Sequence, residues 1–397
     1  MLIVLIVILI ILTILTIIVF KTPEKETLYM IRMSKKDYDE LLPEISDTLY
    51  FNKLWYTAAV TPEQYDNILR ANIPVELLNT DVESYVEWLH QTYEIPPPTA
   101  RAEDFFSVYN TYDKMLEYLK TLKYTEMPSK SLENRVIPVV KFGSDSAPLA
   151  VYIQGNIHAR EWISSAALLY AIDKLKTTYK YSDKIQLYIA PMTNPDGYEY
   201  SRTKSRLWRG NRNTTSCSSG VDINRNFNGF NSWKLEKCSQ TYGGDKPLNE
   251  PETKAIVSFI QQITKSQKLV GMIDFHSFSQ LILYPPGYEG STSVPTESAL
   301  KAAATTIRDA IIKECNVTYT AGNLRQLLYV ANGTEQDWLY EFLTKQKNIS
   351  NPIVLTIELP PEKSSNVGFI VPTTDIKSNG EQVYTAIQTL LNIVSTS

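Results

Sequence analysis

The chain has 397 residues, 39 basic and 43 acidic, for a formal net charge of −4. At roughly 150 residues per domain, that length leads to two domains with ample material for a core. With 43% hydrophobic, 21% charged and 11% aromatic residues, the composition excludes a wholly disordered, collagenous or polytopic membrane chain, and the charge excludes nucleic-acid binding by a basic surface.

Residues 1–20, MLIVLIVILIILTILTIIVF, carry no charge. A helix of that length crosses a hydrocarbon core of about 30 Å, so the chain is expected to enter a membrane system. No basic stretch precedes the run and no small-x-small site follows it. A cleaved signal peptide and a retained signal anchor therefore both stay open. The expected location is secreted, or single-pass anchored with the rest of the chain outside the cytoplasm. The sequons headed by Asn213, Asn316, Asn332 and Asn348 fit that route. Cys217 and Cys238, in a loop-like stretch, are expected to pair, leaving Cys315 as a buried lone thiol.

Residues 21–101 hold 8 basic and 14 acidic side chains, whereas 102–397 hold 31 and 29, so a −6 segment faces a +2 segment. Between them runs Ile95-Pro-Pro-Pro-Thr-Ala-Arg101. Consecutive prolines cannot join helix or sheet hydrogen bonding and make a stiff exposed connector, where a domain boundary and a proteolytic nick belong. Thr27–Met33 predicts a strand, Ser34 the cap of a short helix, Leu49–Val60 strand, and Thr61-Pro62 the start of another helix. In the larger part Ala150–Gln154, Ile185–Ala190, Leu269–His276 and Ile353–Leu359 read as buried strands, and Glu161–Leu175 as a helix. Strands alternating with helices predict an α/β fold with a sheet covered on both faces.

The chain has three histidines, His90, His158 and His276, so a histidine site in the larger part must use the last two. His158 and Glu161 lie three apart where a strand passes into a helix, and can project to one side as two ligands of one metal. His276 ends a strand pattern, and functional groups of open α/β sheets gather at strand carboxyl ends. Two imidazoles and one carboxylate with an open position suit catalytic zinc. Asp222 is a candidate for fixing a ligand tautomer, and equally suits a turn. Glu358 ends a buried run, where a carboxylate without a task would be costly.

Seven motifs occur in order: Gly155-Asn-Ile-His158-Ala-Arg160-Glu161-Trp, Asn194-Pro-Asp-Gly-Tyr, Arg206-Leu-Trp-Arg209, Asp222-Ile-Asn224-Arg225-Asn, His276-Ser-Phe278-Ser-Gln, Tyr329, and Thr356-Ile-Glu358-Leu. Together they resemble the zinc metallocarboxypeptidases of the pancreatic and digestive A/B type across nearly all of 102–397. Residues 21–101 resemble, less specifically, that family's activation segment. The resemblance implies a carboxypeptidase-like mixed central sheet flanked by helices, preceded by a small ferredoxin-like α+β pro-domain. It implies one Zn2+ on His158, Glu161 and His276, with Glu358 as general base and Arg209 stabilising the oxyanion. Asn224, Arg225 and Tyr329 would hold a substrate's C-terminal carboxylate, while Arg160, Phe278 and Phe369 would line other subsites. The implied partners are peptide or protein C-termini and an activating trypsin-like protease cutting near Arg101, with a monomeric catalytic domain.

The chain departs from the family pattern in several places. Phe278 replaces a usual Tyr, and the stretch from Pro360 to Phe369 is two residues longer than usual. Gln336 stands where Asp marks basic and Ile marks apolar C-terminal preference. The resemblance places Leu283, Gly287, Leu324 and Thr356 near Gln336, which implies a pocket for apolar and neutral side chains. Asp274 opposes that expectation, because alternation puts it on the face of His276. Two rival functions are a zinc amidohydrolase acting on small N-acyl substrates and an inactive membrane-tethered binding module. The complete ligand set with Glu358 and Arg209 disfavours the second, and Asn224-Arg225 with Tyr329 disfavours the first.

Overall fold

The computed structural model describes residues 29–34, 47–51, 55–81, 84, 104–214, 220–235, 239–347, 349–363 and 368–396. The apolar N-terminal run, the proline connector with Arg101, the Cys217–Cys238 pair and Asn348 lie outside these residues. Among the described residues no helix is long and apolar enough to cross a membrane.

The first part contains β1 (Tyr29–Ser34), β2 (Asp47–Phe51), β3 (Trp55–Val60), α1 (Pro62–Arg70) and β4 (Val75–Asn79). They form an antiparallel sheet in the order β2-β3-β1-β4. Residues 49–60, expected as strand material, contribute to two strands, β2 and β3, which pair antiparallel. Thr61 caps α1 as expected. Its hydroxyl accepts from Gln64 N at 3.1 Å, and Gln64 Oε1 accepts from Thr61 N at 2.8 Å, satisfying two helix-start donors at once. Ile31, Met33, Val60 and Ile68 form the core of this unit. The helix expected after Ser34 lies outside the described residues.

The larger part is built on β5 (Thr125–Glu126), β6 (Pro138–Phe142), β7 (Leu149–Gly155), β8 (Ile185–Ala190), β9 (Lys268–Ser279), β10 (Leu281–Tyr284), β11 (Thr320–Asn323) and β12 (Ile353–Glu362). Their order is β11-β10-β12-β9-β7-β8-β6-β5, with β12, β9, β7 and β8 parallel and antiparallel strands on both sides. This is the mixed sheet the family resemblance implies. The helices are α2 (Tyr112–Thr121), α3 (Trp162–Thr178), α4 (Pro195–Thr203), α5 (Pro251–Ser266), α6 (Glu297–Cys315), α7 (Leu324–Leu327), α8 (Glu335–Thr344) and α9 (Ile376–Ser395).

Strand alternation sorts the two faces. A side chain at Gly271 would meet Leu390 of α9 at 3.3 Å, so Gly271, Ile273 and Phe275 face α9. Met272, Asp274 and His276 therefore point to the opposite face. Register carries this sorting to β12, where Thr356 pairs with Asp274 and Glu358 with His276. On that second face Phe259 of α5 lies against Tyr152, with ring centroids 6.1 Å apart. Gln336 of α8 bonds Thr356 and the Leu283 carbonyl there. Helices thus cover both faces, and the polar groups of β9 and β12 share one of them. Cys315, expected buried, is a half-buried free thiol at the end of α6.

Candidate active site

The site lies at the carboxyl ends of β7, β9 and β12. After β7 the chain turns through Asn156 in the left-handed region, φ 59°, a conformation Asn tolerates better than most residues. Asn156 N donates to Ser164 Oγ at 3.0 Å, and Asn156 Nδ2 donates to the His158 carbonyl at 3.2 Å. Asn194 caps α4 by accepting from Gly197 N at 3.0 Å, while its Nδ2 reaches the carbonyls of Ile157 and Gly210, each at 3.1 Å. The Asn-Pro-Asp-Gly motif is therefore a brace for the His158 loop.

That brace carries His158 onto Glu161, the residue capping α3. Glu161 Oε1 lies 2.8 Å from His158 Nδ1, and Oε2 lies 3.2 Å from His276 Nδ1. The two Nδ1 atoms are 3.1 Å apart. All three residues are at most 5% exposed, and their ligand atoms lie within 4.8 Å of one another. Three buried groups offering two imidazole nitrogens and a carboxylate to one point match the donor set of catalytic zinc. Ser277 N donates to Glu161 Oε2 at 3.1 Å, fixing the carboxylate from β9.

The opposite ring atoms each face a carboxylate. His158 Nε2 lies 3.3 Å from Asp222 Oδ1, and His276 Nε2 lies 2.6 Å from Asp274 Oδ2. Asp222 Oδ2 also accepts from Arg209 Nε at 2.9 Å and Nη2 at 2.8 Å, so this carboxylate ties Arg209 to a histidine of the cluster. Asp222 Oδ1 caps the next turn by accepting from Asn224 N at 3.0 Å. Asp222 therefore orients both a ring and a turn, joining the two roles open to it in the sequence.

Burial raises the Glu161 carboxyl pKa, but the two imidazoles more than offset this and leave it low. Burial likewise opposes ionisation of Asp222, which Arg209 and His158 overcome, holding it well below the usual range. For His276 burial favours the neutral ring, but Asp274 and Glu161 raise its pKa well above the ordinary value. The cluster draws positive charge to its centre, as a site for a cation must. Glu358, beside His276 in register, is pushed up to about 8, chiefly by burial.

Beyond Asp222, Asn224 Oδ1 accepts from Glu335 N at 2.9 Å. Arg225 Nη2 donates to the Tyr329 hydroxyl at 3.1 Å, and Tyr329 is 49% exposed. The three residues expected to receive a carboxylate are thus linked through neighbouring turns. On another side, the Arg160 guanidinium lies 4.1 Å from the Phe369 ring centroid, and Phe369 meets Phe278 edge to face at 5.0 Å. The longer stretch before Phe369 leaves it in the expected group. Arg206 holds this corner by donating to the carbonyls of Arg160 at 2.8 Å and Phe369 at 2.7 Å, a role its motif alone did not reveal.

Gln336 Nε2 donates to the Leu283 carbonyl at 3.2 Å, and its Oε1 accepts from Thr356 Oγ1 at 2.7 Å. Leu283 and Leu324 cluster with Leu281 and Ala331, and Leu324 closes on Gly287. The residues expected around one pocket come together. Asp274, expected on the face of His276, lies there with its Oδ2 2.6 Å from His276 Nε2. The sequence reading also passed over Glu335, a buried carboxyl that accepts from Gln154 Nε2 at 2.5 Å. Burial and neighbouring Asp274 raise its pKa.

The sequence model of the family described as zinc carboxypeptidase matches residues 109–386. The chain is 32% identical over 294 residues to a zinc carboxypeptidase of Simulium vittatum, covering 72% of this chain and 93% of that one. It is 30% identical over 305 residues to a mast cell carboxypeptidase A of Homo sapiens, covering 71% and 70%. Among solved structures, carboxypeptidase A from Helicoverpa armigera has the same fold, with a TM-score of 0.75 at 23% identity, covering 94% of this chain and 99% of that one. The chain belongs to the zinc carboxypeptidase family and is a zinc-dependent metallocarboxypeptidase acting on peptide C-termini.

Proposed function

We propose that the protein is a secreted or membrane-anchored zymogen whose residues 21–101 restrain a carboxypeptidase domain, 102–397, until a trypsin-like protease cuts near Arg101. The catalytic domain works as a monomer. Support for restraint comes from the −6 and +2 charges of the two segments and from the proline-rich connector between them. Residues 21–101 are the ferredoxin-like pro-domain in this reading, in keeping with a four-stranded antiparallel sheet. Entry to the secretory route rests on the uncharged run at 1–20.

The observation that carries the catalytic reading is the position of Asp222. One carboxylate contacts His158 and Arg209 and caps the turn bearing Asn224 and Arg225. A group that grips a peptide's terminal carboxylate is thereby held at a fixed offset from the metal ligands, which restricts cleavage to the last bond. His158, Glu161 and His276 would hold zinc, which supplies Lewis acidity and an acidified water. Glu358 takes a proton from the attacking water and passes it to the leaving amine. Arg209, anchored through Nε and Nη2, has Nη1 left to meet the developing oxyanion. Arg225 can pair both oxygens of the substrate carboxylate through its planar guanidinium, with Tyr329 and Asn224 beside it.

The test uses the full chain before and after limited trypsin treatment, with matched peptides bearing free or amidated C-termini. The expected result is release of the last residue only after trimming, and only from free acids. It should stop with a chelator and return with zinc. Equal rates on amidated peptides would overturn carboxylate recognition, and equal rates before and after verified trimming would overturn the zymogen reading.

A further inference from the structure

Asp274 and Glu335 are buried carboxyl groups outside the motifs quoted above, 2% and 1% exposed respectively. Asp274 sits two residues before His276 on β9, where alternation sets both side chains on one face. Its Oδ2 is 2.6 Å from His276 Nε2, while Oδ1 is buried without a hydrogen-bond partner. The strand neighbours give it no other donor. Gln154, in register on one side, spends its Nε2 on Glu335, and Thr356, in register on the other, spends its hydroxyl on Gln336. A buried carboxylate with a single partner is costly unless that partner binds it strongly.

We propose that Asp274 is a positioning residue for the metal. It accepts the Nε2–H of His276 and so leaves Nδ1 unprotonated, turned toward Glu161 Oε2 and His158 Nδ1. The proposal rests on the reading of His276 as a zinc ligand. An imidazole bound to a cation is a stronger donor than a free one, so the bond that compensates Asp274 also raises the basicity of the ligand atom. The histidines are held unequally. Asp222 stands 3.3 Å from His158 and is already paired with Arg209. Asp274 has no described cation beside it other than the ring itself, so His276 is its one hydrogen-bond partner among the described residues.

The experiment measures zinc affinity of the full chain by competition with a chromophoric chelator, for wild type, Asp274→Ala, Asp274→Asn and His276→Ala. Circular dichroism of each stripped protein reports folding. Loss of an outer partner of a ligand histidine weakens metal binding about 10–100-fold, which is the loss expected for Asp274→Ala. Asp274→Asn keeps an acceptor oxygen and loses the charge, so it should recover part of that affinity. A merely structural role would lower thermal stability and leave the affinity of the folded protein unchanged. Folded Asp274→Ala binding zinc within about threefold of wild type would overturn the proposal. If Asp274→Ala does not fold, the same unchanged affinity in Asp274→Asn would overturn it. Unchanged affinity accompanied by an altered preference between C-terminal Lys and Leu would overturn it too, by returning Asp274 to the substrate pocket. Stoichiometric zinc in His276→Ala would instead overturn the ligand reading beneath it.

Discussion

Glu358→Gln should slow the enzyme and stabilise its metal-free form. Glu358 makes no hydrogen bond with another described residue, so an isosteric amide breaks none. Its carboxyl has a pKa of about 8 in the folded metal-free protein against an ordinary 4.5. A raised folded pKa means the folded chain holds the proton after the unfolded chain has released it. Stability from this group is therefore fully present below about 4.5 and is lost as pH rises toward about 8. At about 1.4 kcal/mol per pH unit, the wild-type carboxyl costs the stripped protein at most about 3 kcal/mol at pH 7, less to the extent that its partly exposed side chain is screened by water, and the amide removes that cost. In the zinc-loaded enzyme the same change removes the general base, which contributes about 10²–10⁴-fold in turnover. Urea unfolding of chelator-treated protein at pH 5 and pH 8 should give a gap between variant and wild type that widens with pH. Steady-state kinetics of the loaded enzymes should show kcat falling with KM little changed. A gap that does not widen with pH would refute the burial argument, and turnover within about tenfold of wild type would remove Glu358 from the mechanism.

Asp222→Ala should strip Arg209 and His158 of one shared partner. Leaving a buried guanidinium unpaired costs about 3–5 kcal/mol, measurable by urea unfolding, and zinc affinity should weaken by about 10–100-fold in chelator competition. Substrates ending in Phe, Leu or Gln should have higher kcat/KM than matched ones ending in Lys or Glu, because a charge entering a pocket walled by Leu283, Leu324 and an uncharged Gln336, already bonded to Leu283 and Thr356, loses hydration without a charged partner. A Lys preference above about tenfold, worth about 1.4 kcal/mol, would defeat this. Gln336→Asp should move the preference toward Lys in the same assay.

The site was legible in the sequence where chemistry is bound to residue type and order. His158, Glu161 and His276 could be joined because two histidines remain in the larger domain and both lie next to strand ends. The strands of the central sheet were legible because they are buried on both faces and read as continuous apolar runs. The division of residues 49–60 between two strands was not, since no Gly or Pro interrupts the run. The partner of Asp274 could not be read either. Alternation along β9 correctly put its side chain on the face of His276. The choice between ring and pocket, however, depends on which donors β7 and β12 leave unspent, and that follows from sheet register with residues 120 and 82 positions away, Gln154 and Thr356. Arg206 escaped for a similar reason, because its partners are backbone carbonyls, which leave no residue-type signature.

Two rows of side chains on one face of the sheet divide the labour. The upper row pairs Glu358 with His276, and the row beneath pairs Thr356 with Asp274 and Asp274 with Gln154. A strand offers one side chain per row on that face, so each lower residue either supports the metal row or shapes the pocket beside it. On β9 the lower residue supports the metal, through Asp274 and His276. On β12 it shapes the pocket, through Thr356 and Gln336. Because these duties fall on different strands, Gln336 can change without disturbing the ligands, whereas a change at Asp274 acts on the metal first. Side-chain preference is then tuned from α8 over a fixed catalytic row, with one Asp274 oxygen held against the ring of His276.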